Sequence, residues 1–388
     1  VAARPRARIV ALATAILAVA AGAGTYALTH GKPAAAAAGS PAARGRPAAA
    51  AALRVLSITP AAGSRKVNGG DPVQVDFSAP LAAGSPMPTV SPPAQGSWQA
   101  AGAVVVFTPD VPFGASSRIT VTVPAGPDGV RAVTGGQLAR PAVAQFSTGA
   151  WSPRRLGELL AQLGYLPTSW QPSQPGERVA PIGGRPGSWL AEQVALAYSP
   201  PAGQFIPDPR YPASLTSLWQ PDTFSVILRG AVMAFQSQHH MAVNGVPGRA
   251  LWTAVFRAAA VQDGNSDGYT YAVASKADPE TLTIWHDGRV VLVSPANTGI
   301  PVAPTADGTF PVYLRYRFQI MQGTNPDGSS YADPVSFVSY FDGGDAVHYF
   351  PRGSYGFQQS LGCVELPYGA AEQAWPYLTY GSLVMVSG

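Results

Sequence analysis

Two blocks of period-two hydrophobic alternation bracket a stretch whose apolar residues recur at helical spacing, and few folds accommodate that order. In residues 53–149, Val73-Gln74-Val75-Asp76-Phe77 and Ile119-Thr120-Val121-Thr122-Val123 alternate apolar and polar positions. Val104-Val105-Val106-Phe107 is a short apolar run, and Gln145-Phe146-Ser147-Thr148 closes the block. Gly, Pro and Ser clusters separate these runs, the pattern of a β-sandwich. Over residues 151–260, Leu156, Leu159, Leu160 and Leu163 share one helix face, with Gly164 placed to cap it. Ile227, Ala231, Ala234 and Phe235 mark a second helix near Val226–His239, and Leu251-Trp252-Thr253-Ala254-Val255 follows a turn at 243–248. Residues 268–388 return to strands. Thr281–Trp285 and Arg289–Val293 flank His286-Asp287-Gly288, a hairpin signal. Phe310–Leu314 begins another strand, Val335–Tyr340 and Ala346–Phe350 pair around Asp342-Gly343-Gly344, and Ala370–Tyr377 is expected to be helical. The expectation is a multidomain, mainly β protein, and 388 residues exceed what one hydrophobic core usually holds.

Ahead of these blocks, Arg4, Arg6 and Arg8 precede twenty uncharged residues, Ile9–Leu28, a length that spans a bilayer as a helix. Positive flanking charge keeps that end cytoplasmic and exports the remainder. Residues 1–30 read as a cytoplasmic stub with a membrane anchor, or as a signal segment removed after export. Residues 31–52, almost all Ala, Gly, Pro and Arg, form a linker too poor in large apolar side chains to build a core. The first fifty residues hold six basic groups and no acid, which leaves 19 basic against 21 acidic residues in the rest. The sequence pI of 9.2 therefore says nothing about the folded part, and no basic patch supports nucleic-acid binding.

One cysteine in 388 residues excludes an intrachain disulfide. In an exported protein a lone thiol is either buried and inert or reactive. Cys363 stands in Ser360-Leu361-Gly362-Cys363-Val364-Glu365, between a strand and the expected helix. A nucleophilic cysteine needs a base to make thiolate, backbone N–H groups aimed at the developing oxyanion, and room for substrate at sulfur. Gly362 leaves that room, and His348, fifteen residues upstream at a strand end, is the candidate base. No cluster of side chains calls for a metal or cofactor. His239 and His240, adjacent on the chain, read as solvated or capping residues, His286 as exposed, and Asp342 and Asp345 as turn formers.

These residues resemble the YkuD-type L,D-transpeptidase catalytic domain, whose signature is a His followed about fifteen residues later by S-H-G-C. Asn297-Thr298-Gly299 and Pro304–Phe310 resemble the family's STG and TPxGxF phrases, so the likeness covers roughly residues 268–387. It implies Cys363 as nucleophile and His348 as general base, oriented by the main-chain carbonyl of Tyr349. It implies oxyanion donors from the backbone around Leu361, Gly362 and Cys363, and substrate contacts from Tyr340, Ser360 and Glu365. Peptidoglycan stem peptides would be the partners. Two positions depart from the signature: Leu361 stands where His is usual, and Glu365 where Asn or Arg is usual. Residues 53–149 resemble a bacterial Ig-like module through Ser57-Ile58-Thr59-Pro60, Val75-Asp76-Phe77-Ser78, Phe107-Thr108-Pro109 and Phe146-Ser147-Thr148. Residues 151–260 resemble the small helical peptidoglycan-binding domain through Leu163-Gly164-Tyr165, Ala231–Gln236, Asn244–Gly248 and Leu251-Trp252. Asn244 replaces the usual Asp there, and about fifty residues separate Tyr165 from the second helix. The implied order is anchor, linker, Ig-like spacer, wall-binding module and catalytic tip, with the membrane as a second partner. A wall-binding scaffold with a degenerate catalytic domain is the rival. A papain-like endopeptidase, which places Cys before His, fits the order of His348 and Cys363 less well.

Overall fold

The structure is a computed structural model that describes residues 51–174 and 188–388. The expected anchor at 9–28 and most of the linker lie outside the described residues. Among the described residues no helix is long and apolar enough to cross a membrane.

Seven strands form the first block: β1 (Val55–Thr59), β2 (Val73–Phe77), β3 (Thr89–Ser91), β4 (Gly96–Ala101), β5 (Val104–Pro109), β6 (Arg118–Val123) and β7 (Ala142–Ser147). They make two antiparallel sheets, β1-β2-β5-β4 and β3-β6-β7. Because successive side chains on a strand point to opposite faces, the alternating runs turn Val73, Val75 and Phe77 of β2 and Ile119, Val121 and Val123 of β6 into one shared core.

The middle block contains α1 (Pro153–Gln162), β8 (Thr168–Pro172), α2 (Ser188–Tyr198), β9 (Gly203–Pro207), the single turn α3 (Ala213–Thr216), α4 (Val226–Gln238) and α5 (Arg249–Val261). Pro153 starts α1, where a missing N–H costs nothing. The helix ends as Gly164 adopts φ +78° and the N–H of Tyr165 turns back to the carbonyl of Leu160 at 2.8 Å. In α4, Gln236 is buried, and its Oε1 accepts from the N–H groups of Asn244 and Gly245 at 3.0 and 2.9 Å. The phrases that resemble a wall-binding domain thus hold a turn and a core together. The sixty residues between Tyr165 and α4 include an antiparallel ribbon, β8-β9, and the helix α2.

The last block holds β10 (Thr270–Ser275), β11 (Thr281–His286), β12 (Arg289–Pro295), β13 (Gly308–Pro311), β14 (Leu314–Thr324), β15 (Ser330–Asp342), β16 (Asp345–Tyr349), β17 (Val364–Leu366), α6 (Tyr368–Ala374) and β18 (Leu383–Ser387). Two sheets result, β12-β11-β10-β18-β13 and β14-β15-β16-β17. Ala272, Ile284 and Leu292 of the first pack with Phe337, Val347 and Val364 of the second. The strand expected to begin at Phe310–Leu314 is broken. Val312 donates to Ser382 and Tyr313 to Tyr340, so the chain passes from one sheet to the other between them. On the outer side of the first sheet, Tyr271 of β10 and Leu383 of β18 join the core of α1, α4 and α5. The middle and last blocks therefore share a core.

Candidate active site

The site is set by how the chain re-enters the second sheet. β15 and β16 form a hairpin whose turn is Gly343-Gly344, with Asp342 facing Asp345 across it. β17 then pairs in parallel with β16, Val347 opposite Val364 and His348 opposite Glu365. A parallel neighbour needs a return loop, and that loop, residues 350–363, delivers Cys363 to the start of β17. The Asn297-Thr298-Gly299 phrase holds the loop. The carbonyl of Thr298 accepts from the N–H groups of Gln359 and Ser360 at 2.9 and 3.0 Å, and Asn297 and Glu365 exchange backbone bonds at 3.0 and 2.9 Å. Gly299 is required by close approach: a Cβ there would lie 2.2 Å from the carbonyl oxygen of Ala303.

Cys363 and His348 line one cavity of about 450 Å³, together with Tyr340, Asp345, Leu361 and Glu365. His348 is buried, and its Nδ1 lies 2.9 Å from the carbonyl of Tyr349. A carbonyl only accepts, so Nδ1 carries the proton and Nε2 is the basic nitrogen. Burial holds the imidazole below its ordinary pKa, so it is neutral at neutral pH. Cys363 packs against Val335, Val338 and Ala346, and burial pushes its thiol up to about 12, helped by the charges of Asp345 and Glu365. Its Sγ lies 3.8 Å from the carbonyl of Gly344 and has no hydrogen bond to the imidazole. The resting pair is therefore thiol and imidazole, both neutral.

The other expected site residues have distinct fates. Tyr340 lines the cavity, and its hydroxyl donates to Gln319 Oε1 at 3.1 Å. Leu361 sits in the cavity wall with 37% of its surface exposed, so the dry surroundings of the sulfur come from β15 and β16 instead. Ser360 is buried rather than open to substrate; its hydroxyl donates to the carbonyl of Cys363 at 2.6 Å and accepts from the N–H of Gly362 at 3.2 Å. Gly362 has φ +119°, a conformation that favours glycine, and the Asp345 carboxylate occupies the space a side chain would need. Glu365 is buried and paired with Arg352, whose Nε and Nη2 donate at 2.8 and 2.7 Å. His286, expected to be exposed, is half-buried, 3.0 Å from Thr270 Oγ1 and packed on Tyr377. His239 forms the C-cap of α4 and stacks on Phe235.

Sequence reasoning missed Arg352 altogether and read Asp345 only as a turn residue. It does close the turn, but its carboxyl also faces the cavity, and burial raises its pKa to about 6. Among the described residues no group of three or more His, Cys, Asp or Glu side chains is arranged to hold a metal. A second cavity, of about 330 Å³, lies between the sandwich and the helices; Arg249 is its charged residue, and no Cys, His or carboxylate lines it.

Residues 269–386 match YkuD, the L,D-transpeptidase catalytic domain. The C-terminal block is an L,D-transpeptidase-family domain. Residues 49–148 match Big_5, a bacterial Ig-like domain. No curated protein matches the chain. Among solved structures, an L,D-transpeptidase from Mycobacterium smegmatis is 17% identical, with 87% of this chain and 99% of that one covered and a TM-score of 0.29. L,D-transpeptidase 3 from Mycobacterium tuberculosis is 16% identical, with 86% and 98% covered and a TM-score of 0.29. The catalytic domain of the E. faecium L,D-transpeptidase is 27% identical, with 30% and 95% covered and a TM-score of 0.28. The transpeptidase domain so delimited contains Cys363, His348 and every lining residue of their cavity.

Proposed function

We propose that the protein is an exported L,D-transpeptidase that forms 3→3 cross-links between peptidoglycan stem peptides. The observation that carries the reading is a thiol and a fixed imidazole lining one cavity within the transpeptidase domain. The sulfur attacks the carbonyl of the third residue of a donor tetrapeptide while Nε2 of His348 takes the thiol proton. With both groups neutral at rest, proton transfer accompanies C–S bond formation rather than preceding it. The N–H of Gly362, expected as an oxyanion donor, is taken by the Ser360 hydroxyl, which leaves the backbone N–H of Cys363 to donate to the developing oxyanion. His348 then returns the proton to the leaving amine, D-Ala departs, and a diamino acid side chain on a second stem resolves the thioester. Residues 9–28 hold the protein at the membrane or direct its export. The segment at 53–149 is a spacer, and the segment at 151–260 supports the catalytic domain, 268–388, in the wall.

One observation favours a second reading, a wall-bound scaffold with a silent site: the sulfur lies 3.8 Å from the carbonyl of Gly344 and has no hydrogen bond to the imidazole. Incubation with defined muropeptides, followed by mass analysis, separates the two. The transpeptidase reading expects D-Ala release and a cross-linked dimer, both abolished by Cys363→Ala with unfolding unchanged. It also expects a single carbapenem adduct, mapping to Cys363. Silence toward every muropeptide together with an unreactive thiol would establish the scaffold.

A further inference from the structure

The reaction proposed above has two halves, and the residues already assigned account for only the first. His348 accepts the thiol proton and hands it to the departing D-Ala amine. The second half brings in an amine that is an ammonium ion at neutral pH, with no lone pair to attack until it loses a proton. Leu361, where the family signature has an imidazole, supplies no proton acceptor.

Asp345 has the placement such a step needs. It lines the same cavity as Cys363, at the end of the β15–β16 turn. Its Oδ1 lies 2.3 Å from the point where a Gly362 side chain would begin, so the carboxylate rests against the residue next to the nucleophile. It forms no ion pair among the described residues, and its one hydrogen bond, from the N–H of Ala306, is long at 3.5 Å. The contrast with Glu365 is informative. That carboxylate, also in the cavity wall, is taken by two short bonds from Arg352. The groups facing Asp345 are Asp342 across the turn, Tyr313 ahead of β14, and Cys363 itself; none is a cation. A half-buried carboxylate left without a cation is a site for one.

We propose that Asp345 receives the acceptor ammonium and takes its proton, making it the base of the second half-reaction. This rests on the transpeptidase reading. Asp345 takes one proton from the R–NH3⁺ acceptor to give R–NH2 and a neutral carboxylic acid. The amine lone pair attacks the thioester carbonyl, the C–N bond forms and the C–S bond breaks. The second amine proton passes through His348 to the departing sulfur, restoring the thiol. Asp345 then loses its proton to water. A carboxyl raised to about 6 is a better acceptor than an ordinary one and still ionised at neutral pH.

Asp345→Asn keeps the shape and removes the charge. Its two effects have opposite signs. Loss of a negative charge beside the sulfur eases thiolate formation, so the single-turnover burst of D-Ala from a donor tetrapeptide is kept or raised. Transfer of the acyl group to an alkylammonium acceptor falls on the order of 10²-fold, with the thioester diverted to water. Hydroxylamine, an acceptor already uncharged at neutral pH, restores the variant to wild-type partition. A parallel loss of the D-Ala burst and of aminolysis, or an equal loss with both acceptors, would mean a structural role and overturn the proposal. An unchanged partition overturns it as well. If the wild type releases no D-Ala, the transpeptidase reading itself has failed, a result that does not depend on Asp345.

Discussion

At the residue scale the site turns on two pKa shifts of the same origin. Burial disfavours charge, so the thiol goes up and the imidazole goes down. A preformed thiolate–imidazolium pair requires the reverse. The expected consequence is a pH profile. Alkylation of Cys363 by iodoacetamide rises steadily with pH and is still rising at alkaline pH, because the thiolate remains the minor form until near 12. Turnover of donor peptide has a different limit. It stays high as pH falls until His348 protonates, and that occurs below the ordinary histidine value, about 6.5. An alkylation plateau reached below neutral pH would sink the neutral-pair description. Cys363 and His348 were legible in sequence as candidates because spacing and a lone cysteine sufficed, and the fold brings both to one cavity. Asp345 was not. Its turn partner Asp342 and the two glycines between them gave it a complete local explanation, and only the return of β17 reveals the cavity side.

At the scale of elements, the loop carrying Cys363 is held at both ends by groups distant in sequence. Arg352 bonds Glu365 and also donates to the carbonyl of Gln359 at 3.0 Å, tying the exit of β16 to the loop and to β17. Removing one partner leaves Glu365 buried with only the 3.4 Å contact to Asn297 Nδ2. For a fully buried pair that costs ~3–5 kcal/mol. The Arg352 side chain is 28% exposed, so Arg352→Ala is expected to cost about 2 kcal/mol after solvent screening. Urea unfolding checks this, and Glu365→Gln, which keeps a hydrogen-bonding side chain without a stranded charge, is expected to cost less. An unchanged midpoint in Arg352→Ala would show that the pair contributes nothing. Alternation made β2, β6 and the Asp287-Gly288 hairpin readable. It failed for β10, which is buried on both faces, with Tyr271 toward the helices and Ala272 and Ala274 toward the second sheet. It failed also for β14, where the apolar Tyr316, Phe318 and Ile320 are exposed while Gln319 and Met321 are half-buried along the cavity, so polarity does not mark the inner face.

At the scale of the molecule, sequence divides residues 151–260 from 268–388, whereas packing joins them. Helix α4 and the segment entering β18 meet through two glycines. A Cβ on Gly230 would lie 2.6 Å from the carbonyl oxygen of Gly381, and one on Gly381 would lie 2.1 Å from that of Gly230. Tyr211 adds a bond across the seam, its hydroxyl donating to the carbonyl of Tyr269 at 2.7 Å. Because Tyr271 and Leu383 lie in the helical core, exposing that core exposes β10 and β18 as well. The two blocks are therefore expected to open as one cooperative unit. In native-state hydrogen exchange the slowest amides of α4 and β10 should share one opening free energy and one denaturant dependence. Gly230→Leu puts a side chain into a gap that admits none. It is expected to cost ~1–3 kcal/mol, as overpacking does, and to separate the two sets, with α4 losing protection before β10. Cys363 lies on the other sheet, so its alkylation rate under native conditions should change little in this variant. Distinct opening free energies for α4 and β10 in the wild type would sink the single-unit account and return the helices to the status of an independent domain.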